Sequence, residues 1–535
     1  MIQVNDIRVP YREAGTEWKR YAAKICRVRE EDLKSARMLK KSLDARKKQD
    51  IVYLISAAVG MEPGKERRAL GLGDARILPY AAPVAEEIPA GTEPLNGRVA
   101  VVGLGPAGLF GAYMLAKYGY RPLVIERGRP VAERVRDVEG FWCGAGLDPE
   151  SNVMFGEGGA GTFSDGKLTS RSKDARGAEV LRIFREHGAP EEIEYLAKPH
   201  IGTDKLRGIV SAMRESVERM GGEVRFSCRL EQIVCEGGKL TGIVVSKDGK
   251  TVKEPCDALV LAIGQGARDT YRMLLASGVS MQPKPFAVGC RIEHPQEMID
   301  RIQFGDAAAA RELGAAEYRL TGRSGDRGVY TFCMCPGGKV VASSSGQDQV
   351  VVNGMSDYAR DAENANAAII VQVGPGDFGT DPLSGVAYAE KLERDAFLLG
   401  GGDFRAPASR VEDFLACRKS GAFGSVHPSY RPGVRPADLS ECLPDYVANG
   451  IRDGIRSFSR QMKGYDLADA VLTAVESRSS SPVRILRDEN GESVSVRGIY
   501  PVGEGAGYAG GIVSAAIDGM RASERIIRRY RPSSI

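Results

Sequence analysis

The feature that most constrains the fold of this chain is a glycine-rich turn, GLGPAG at residues 103–108, set between an apolar run and a helical one. Residues 99–102 have the continuous apolar character of a buried parallel strand. Gly103 permits a tight turn, Gly105 lets the backbone approach a bulky anion, and Gly108 allows the next helix to pack closely on the strand. The pattern predicts a strand, a turn and a helix in immediate succession.

The residues after the turn complete a β-α-β unit. A helix is predicted over residues 106–118, and its free N–H groups and positive dipole end form an anion site. A second apolar strand, residues 122–125, ends at Glu126, about 20 residues beyond the glycines, where a ribose-binding acid is expected. The unit predicts a bound dinucleotide; the alternatives are a structural glycine turn and a solvated Glu126. The predicted contacts are Gly103, Gly105, Pro106, Ala107, Gly108, Glu126 and Arg127.

A second glycine-rich segment, GEGAGYAGG at residues 503–511, begins 400 positions later (503 minus 103). Residues 498–502 resemble a short strand ending at Gly503, and residues 511–521 resemble an apolar helix of small residues. In two-segment flavoproteins of similar pattern, the acid at the position of Glu504 binds the ribitol hydroxyls. The helix start at Gly511 and Ile512 would then face flavin N1 and O2. The two segments together predict FAD, and a glycine-rich loop before a packing helix is the alternative.

The chain is too long, at 535 residues, for one core, and its composition changes suggest several domains. We predict an α/β fold in which a three-layer, Rossmann-like FAD domain with a parallel sheet carries an inserted α+β substrate domain. The predicted parts are a small basic α/β domain (1–79), a linker rich in Pro, Ala and Gly (80–95), the first part of the FAD domain (96–285), the substrate domain (286–489) and the second part of the FAD domain (490–535).

Local patterns refine two of these parts. In the N-terminal domain, residues 2–9 and 50–58 resemble strands, and polar helical stretches are predicted between them. In the FAD domain, residues 222–234 and 240–246 are predicted as hairpin partners that bring Leu230 to the cofactor. The run ALVLAIG then ends in Gly264, the glycine expected beside the cofactor.

Composition and charge restrict the function classes. A net charge of +4 is too small to argue for nucleic acid, and no apolar run approaches the roughly 18 residues of a membrane span. Ten cysteines spread over this length, with no signal-peptide core, predict a cytoplasmic protein with reduced thiols. Residues 18–48 are nevertheless dense in Lys and Arg. They are interpreted as a solvated face, with an RNA-binding or acidic-partner surface as the alternative.

Several longer motifs resemble one family. They are GEGGAGTFSDGKLTSR (156–171), KPHIGTDKL (198–206), KPFAVGCRIEHPQ (284–296), TFCMCPGGKVV (331–341), VVNGMS (351–356) and ESRSSSPVRILRD (476–488). Together they resemble the uncharacterised bacterial FAD-dependent, or NAD(FAD)-utilising, dehydrogenases, and the resemblance covers most of the chain. It implies FAD but not the substrate. One departure is Gln265-Gly266, where His-Ser is expected.

A glycine loop at residues 158–164 lies where related flavoproteins bring a loop along the diphosphate toward N5. Its small residues would let substrate approach, and Gly159, Thr162 and Ser164 are predicted to contact the cofactor. A plain surface loop is the alternative. Lys167 follows directly and is a candidate for proton transfer, or else only a salt-bridge residue.

Three further residues are catalytic candidates. Cys333 and Cys335 form a CxC pair that could relay electrons beside flavin or attack substrate; the alternative is two buried thiols in a strand. No metal is predicted, because the four histidines lack ligand spacing with these cysteines. Arg478 offers a donor fork for an anionic substrate or the flavin pyrimidine edge, with ion pairing as the alternative.

The predicted function is an FAD-dependent oxidoreductase that transfers hydride between flavin N5 and a small organic substrate. No second complete dinucleotide fingerprint is present, so NADH or NADPH would act as a transient reductant, or a redox partner protein would supply electrons. A flavin-dependent tRNA-modifying enzyme is the alternative, because the N-terminal domain is basic. A non-catalytic flavin-binding scaffold is the third hypothesis.

Overall fold

The computed structural model describes residues 1–15, 17–82, 87–170, 172–306 and 309–532. The N-terminal region forms an antiparallel sheet of order β2-β3-β1-β4. Its elements are β1 (Ile2–Pro10), α1 (Trp18–Cys26), β2 (Ser35–Asp44), β3 (Val52–Gly60), α2 (Pro63–Leu70) and β4 (Ile77–Pro79).

Helix α1 lies between the two predicted N-terminal strands, as expected, but β2 is a strand where a polar helical stretch was predicted. It pairs with β3 from Ser35 to Asp44, and the sheet partner decides the conformation of a polar segment with little pattern of its own. The other edge of β2 is also used, because Lys41 N–H donates to Tyr195 O at 2.7 Å and Ala197 N–H donates to Lys41 O at 2.9 Å. The N-terminal sheet is therefore docked on the region that follows it.

The predicted linker is partly outside the described residues, because residues 83–86 are not described. Its later part runs along the C-terminal helix, where Gly91 N–H donates to Ile527 O at 2.8 Å and Glu93 N–H donates to Arg529 O at 3.1 Å. This stretch is tied to the C-terminal end of the chain.

The first part of the predicted FAD domain, called the first cofactor segment below, follows the linker and contains β5 to β12. Its elements are β5 (Ala100–Val102), α3 (Pro106–Lys117), β6 (Leu123–Ile125), α4 (Val131–Trp142), α5 (Arg176–Glu186), α6 (Thr203–Arg219), β7 (Glu223–Arg225), β8 (Cys228–Glu236), β9 (Lys239–Lys247), β10 (Lys250–Pro255), β11 (Leu259–Leu261), α7 (Arg268–Ala276) and β12 (Met281–Pro283). Strands β8, β9 and β10 form the antiparallel hairpin layer predicted in part from the sequence.

The inserted region has its own sheet, of order β14-β15-β18-β13-β21-β19-β20, in which only β19 and β20 are parallel neighbours. Its elements are β13 (Phe286–Pro295), α8 (Gln296–Phe304), α9 (Ala310–Leu313), β14 (Thr321–Ser324), β15 (Arg327–Cys335), β16 (Lys339–Ala342), β17 (Val352–Met355), β18 (Asn364–Val373), α10 (Pro375–Phe378), α11 (Ser384–Gly400), β19 (Ala406–Arg410), α12 (Val411–Leu415), β20 (Val434–Pro436), α13 (Asp445–Gln461) and β21 (Val471–Glu476).

The second cofactor segment contains β22 (Val483–Ile485), β23 (Ile499–Pro501) and α14 (Ile512–Arg529). Strand β22 pairs antiparallel with β12, so the two ends of the insert meet and the chain returns a few residues before the predicted boundary at 489. Strand β23 then joins the parallel sheet of order β23-β11-β5-β6-β7. The strands that precede the two glycine segments, β5 and β23, therefore belong to one sheet.

The parallel sheet is the middle of three layers. Val99 and Val101 pack into a core with α3, α5, α6 and α14. Ala100 and Val102 point the other way, into a core with β8, β9 and α7. Because both faces are covered, β5 is apolar at every position, as a buried parallel strand must be.

Candidate cofactor and active site

A cavity of about 1190 Å³ lies where the carboxyl ends of β5, β6, β11 and β23 face the inserted region. Open parallel sheets bind ligands at this edge. The cavity is lined by these predicted residues: Gly103, Gly105, Pro106, Ala107, Glu126, Arg127, Gly159, Ser164, Lys167, Leu230, Gly264, Cys333, Arg478, Gly503, Glu504, Gly511 and Ile512. Three predicted residues, Gly108, Thr162 and Cys335, do not line it.

The first glycine turn has the geometry of an anion cradle. Gly103 has φ +94°, and a Cβ on Gly108 would lie 1.8 Å from Gly103 O, so both positions require glycine for the fold itself. Gly105 differs, since a Cβ there would meet nothing nearer than Gly159 Cα at 3.7 Å. Gly105 also caps α3, whose free N–H groups begin at this point. The space beside Gly105 is therefore open and adjoins the free backbone N–H groups at the start of α3.

Glu126 is buried and accepts three backbone hydrogen bonds. Leu104 N–H donates to Oε2 at 2.8 Å, while Gly128 N–H and Gly156 N–H donate to Oε1 at 2.9 and 2.8 Å. The carboxylate thus joins the turn after β5, the turn after β6 and a later loop. A carboxylate has about four acceptor sites, so it keeps capacity for a hydroxyl in the cavity.

Arg127 has a fixed position next to Glu126. It donates to Glu150 at 2.8 Å and Asp269 at 2.9 Å, and its guanidinium lies 4.1 Å from the centre of the Phe155 ring. Phe155 lines the same end of the cavity as Leu230. This end therefore has apolar walls and a stacked cation.

Sequence reasoning missed Arg134. Its side chain is fully buried and donates to the carbonyls of Asn152, Val153 and Glu157 at 2.8, 2.9 and 2.7 Å. These bonds hold the loop that carries Phe155 against the cavity. An arginine in an amphipathic helix such as α4 normally indicates a solvated face, so the sequence gives no signal for this role.

Glu504 lies at the other cofactor segment, where burial raises its pKa to about 7. Its Oε1 accepts a 3.1 Å hydrogen bond from Gln265 Nε2, which also donates to Arg478 O at 2.8 Å. Gln265 is the residue that departs from the family pattern. The side-chain amide of Gln265 therefore connects Glu504 to Arg478, which follows the last strand of the insert.

The glycine loop forms a short 3-10 helix at Gly159–Phe163. Thr162 is fully buried and its hydroxyl donates to Glu157 O at 3.1 Å, so this side chain does not line the cavity. Ser164 lines the cavity, and its hydroxyl donates to Gly161 O at 2.7 Å. A Cβ on Gly161 would lie 3.4 Å from Ile512 Cγ1, which places the loop beside the start of α14.

A charged cluster lies between the glycine loop and the insert. Lys167 Nζ is 2.8 Å from Asp165 Oδ2, and Arg360 Nε donates to Asp165 Oδ1 at 2.9 Å. Burial raises the pKa of Asp165, but the two cations lower it by more, so the net shift is downward. Lys167 Nζ also donates to Met334 O, which joins the loop to β15.

The two cysteines lie at the end of β15. Cys333 is partly exposed and lines the cavity, whereas Cys335 is fully buried behind it. Arg291 Nη1 donates to Cys333 O at 2.8 Å. Arg291 is itself buried and paired with Glu476 at 2.8 Å.

Arg478 belongs to a buried charge cluster. Glu393 lies between Arg478, at 3.1 Å, and Arg268, at 2.7 Å. Burial raises the pKa of Glu393, but the two arginines lower it to about 2. Arg478 Nη1 also donates to Ser345 Oγ at 2.6 Å. The ion-pairing alternative therefore accounts for the contacts of Arg478, although the residue does line the cavity.

In the part of the chain that the structure describes, no three His, Cys, Asp or Glu side chains converge as a metal site requires. Among the same residues, no helix combines the length and apolar character that a membrane crossing needs.

The geometry agrees with comparisons to known proteins. A protein of Clostridium beijerinckii, described as uncharacterized, is 48% identical over 533 residues, covering 99% of each chain. This chain belongs to the same family as that protein. Residues 285–479 match the family model described as FAD-dependent protein, C-terminal domain-like, and residues 1–60 match a domain of unknown function. The matched C-terminal domain coincides with the insert from β13 to β21, so the insert is of a kind found in FAD-dependent proteins.

Solved structures are similar to this chain at lower sequence identity than the Clostridium beijerinckii protein. Glycine oxidase from Bacillus cereus is 10% identical with a TM-score of 0.37, covering 82% of this chain and 99% of its own. A geranylgeranyl bacteriochlorophyll reductase-like protein from Thermoplasma acidophilum is 13% identical with a TM-score of 0.34, covering 81% of this chain and 78% of its own.

Proposed function

We propose that this protein is an FAD-dependent oxidoreductase whose substrate binds between the cofactor and the inserted domain. The observation that carries the proposal is that Glu126 and Glu504, from segments far apart in the chain, line one cavity with both glycine turns. Its volume of about 1190 Å³ exceeds the roughly 300–1,000 Å³ of an ordinary ligand pocket. The space suits an extended dinucleotide together with a second molecule.

The residues present fit FAD at each end of the cavity. At the β5–α3 turn, Gly105 leaves room beside the N-terminus of α3, where a diphosphate would be held. Glu126 would bind the ribose and Glu504 the ribitol, since the first is buried, the second is half-buried and both line the cavity. The start of α14 at Ile512 would complement negative charge at the pyrimidine edge. FAD, when bound, supplies a two-electron donor and acceptor at N5.

The inserted domain provides the remaining walls. Tyr330 and Phe332 on β15 form an aromatic surface, and Lys167 and Arg360 line the same cavity as cations that pair with Asp165. We assign Lys167 to holding a proton or a polar substrate group at Nζ, and the aromatic wall to the organic body of the substrate. The substrate's identity is left to experiment, with NADH, NADPH and a redox protein as the donors to be compared.

The proposal is tested by purifying the full chain, adding FAD, removing free flavin and recording the absorbance spectrum. We expect about one FAD per chain and bleaching under anaerobic conditions when NADH, NADPH or dithionite is added. A protein that retains no flavin after reconstitution would overturn the proposal. Flavin that binds but cannot be reduced would favour the scaffold hypothesis instead.

A tRNA-modifying enzyme is the second candidate, and it rests on the basic N-terminal domain. Part of that charge is paired on the surface, as in Arg46–Asp44 at 2.6 Å and Arg37–Glu194 at 3.5 Å. Fluorescence anisotropy with tRNA at low salt distinguishes the two candidates. Salt-sensitive binding that Lys40→Gln weakens would favour the tRNA function.

A further inference from the structure

The CxC segment lies at an irregularity in its sheet. Strand β15 pairs regularly with β18 up to Phe332, and the register shifts before Cys335. Cys333 within this bulge has φ +42°, which non-glycine residues seldom adopt. Bulges beside active sites often re-aim a side chain, and here the bulge brings Cys333 to the cavity while Cys335 stays buried.

The Cys335 side chain contacts residue 333, because Cys335 Sγ donates to the backbone carbonyl of Cys333 at 3.3 Å. Hydrogen bonding by the Cys335 side chain, together with the charges of Arg291 and Lys167, lowers the pKa of Cys333. The neighbouring Cys333 side chain and burial raise the pKa of Cys335. The negative charge is therefore favoured on the sulfur that faces the cavity, and the proton on the sulfur behind it.

Two cations hold the backbone of this segment in place. Arg291 donates to Cys333 O and Lys167 donates to Met334 O, so consecutive carbonyls are fixed from two different elements. Arg291 belongs to β13, and Lys167 follows the glycine loop. Nearby Arg and Lys charges stabilise a thiolate relative to a thiol.

Other buried cysteines of the insert have raised pKa values, as is usual for thiols in apolar surroundings. Burial raises the pKa of Cys290 and raises that of Cys442 to about 12, since no cation faces either sulfur closely enough to lower it. Two inert core thiols would need neither the bulge nor the cations found at Cys333. The alternative of structural thiols therefore fits Cys290 and Cys442 but leaves the surroundings of Cys333 unexplained.

We infer that Cys333 and Cys335 are a reversible dithiol–disulfide couple that exchanges two electrons with flavin bound in the adjoining cavity. This inference rests on the proposed function. In the oxidising direction the Cys333 thiolate and the Cys335 thiol join in a sulfur–sulfur bond. Two electrons and the Cys335 proton pass to oxidised flavin, giving the reduced flavin anion, so charge and atoms balance.

Anaerobic titration with dithionite tests the couple. The oxidised wild-type holoprotein should take up about four electrons per FAD, two for the flavin and two for the disulfide. Cys335→Ser and Cys333→Ser should take up about two each with flavin content unchanged. Cys143→Ser, which removes an exposed thiol, should still take up about four. Uptake of about two electrons by the wild type would overturn the inference, whether or not the variants fold.

A second measurement needs no flavin. Trypsin releases residues 328–339 after Arg327 and Lys339, and this peptide contains both cysteines. After diamide treatment, denaturation and alkylation, we expect the peptide without label and two hydrogens lighter, and fully labelled after reduction. A peptide labelled at both cysteines after diamide would overturn the couple. If the protein binds no FAD but the peptide forms a disulfide, the proposed function fails while the disulfide stands.

Discussion

The backbone N–H of Leu104 donates a 2.8 Å hydrogen bond to the carboxylate of Glu126, which joins the turn after β5 to the end of β6. The same carboxylate holds Gly128 and Gly156. A single acid therefore shapes the first cofactor segment before any ligand binds. Binding and folding are coupled at this residue, and substitutions must be assessed for both.

Glu126→Gln should lower both stability and FAD retention. The amide nitrogen cannot accept from Leu104 or Gly156, so one buried N–H is left without a partner, at a cost of about 1–3 kcal/mol. Thermal unfolding of the apoprotein and flavin content after gel filtration measure the two effects. Glu133→Gln, an exposed change on α4, is the matched control and should alter neither. Wild-type stability in Glu126→Gln would contradict this role.

Two glycines of the same turn should respond differently to alanine. Gly105→Ala should leave the apoprotein stable, because φ is −73° and the methyl meets nothing within 3.7 Å, yet it should weaken FAD binding by filling the cradle. Gly108→Ala should destabilise the apoprotein, since its Cβ would lie 1.8 Å from Gly103 O. Unfolding midpoints and FAD titration distinguish these outcomes. Full affinity in Gly105→Ala would place the diphosphate elsewhere.

FAD affinity should depend on pH through Glu504. Burial raises its pKa to about 7, and the ionised carboxylate is the form that accepts a hydrogen bond from a hydroxyl. Lowering the pH from about 8 to about 6 reduces the ionised fraction about tenfold, so the Kd should rise by up to that factor. Fluorescence titration measures it. In Glu504→Gln binding should be weaker and nearly flat over this range; a wild-type slope in the variant would assign the titration to another group.

Removing Glu393 should harm the fold more than removing Arg478. Glu393→Gln leaves Arg268 and Arg478 buried close together with only Glu390, 3.8 Å from Arg268, as a counter-charge, whereas Arg478→Gln leaves the Arg268–Glu393 pair at 2.7 Å intact. We expect losses of about 3–5 kcal/mol and about 1–3 kcal/mol respectively. Urea unfolding of the apoproteins measures the difference. An Arg478→Gln variant of normal stability that loses turnover would restore Arg478 as a catalytic candidate.

The elements of the two cofactor segments were predictable because each is encoded locally. The helix predicted over 106–118 is α3 (Pro106–Lys117), and the strand predicted over 498–502 is β23 (Ile499–Pro501). Glycine spacing and apolar runs carry this information within about 30 residues. By contrast β2 was not predicted, because a polar segment becomes a strand only when β3 offers a partner.

The residues of the candidate site also divide into those that a local motif predicts and those that only the folded structure shows. Glu126 and Glu504 were predicted because a motif fixes their positions, and both line the cavity. Gln265 acts through a residue distant in the chain, and Arg134 acts through loop carbonyls that no sequence pattern marks. Thr162 was predicted to contact the cofactor from its place in the glycine loop, and its hydroxyl donates to Glu157 O. Side-chain direction depends on packing, which local sequence does not contain.

The sequence by itself determined two glycine turns, each between a strand and a helix, and from them predicted sites for the two halves of a dinucleotide. Only the tertiary structure decided that β23 lies beside β11 in one sheet, because strand pairing joins residues hundreds of positions apart. It also decided that Arg291 and Lys167 donate to the consecutive carbonyls of Cys333 and Met334, while Arg478 is held by Glu393. Charges in a dry interior act over a few ångströms, so their partners are fixed by the fold and not by their order in the chain.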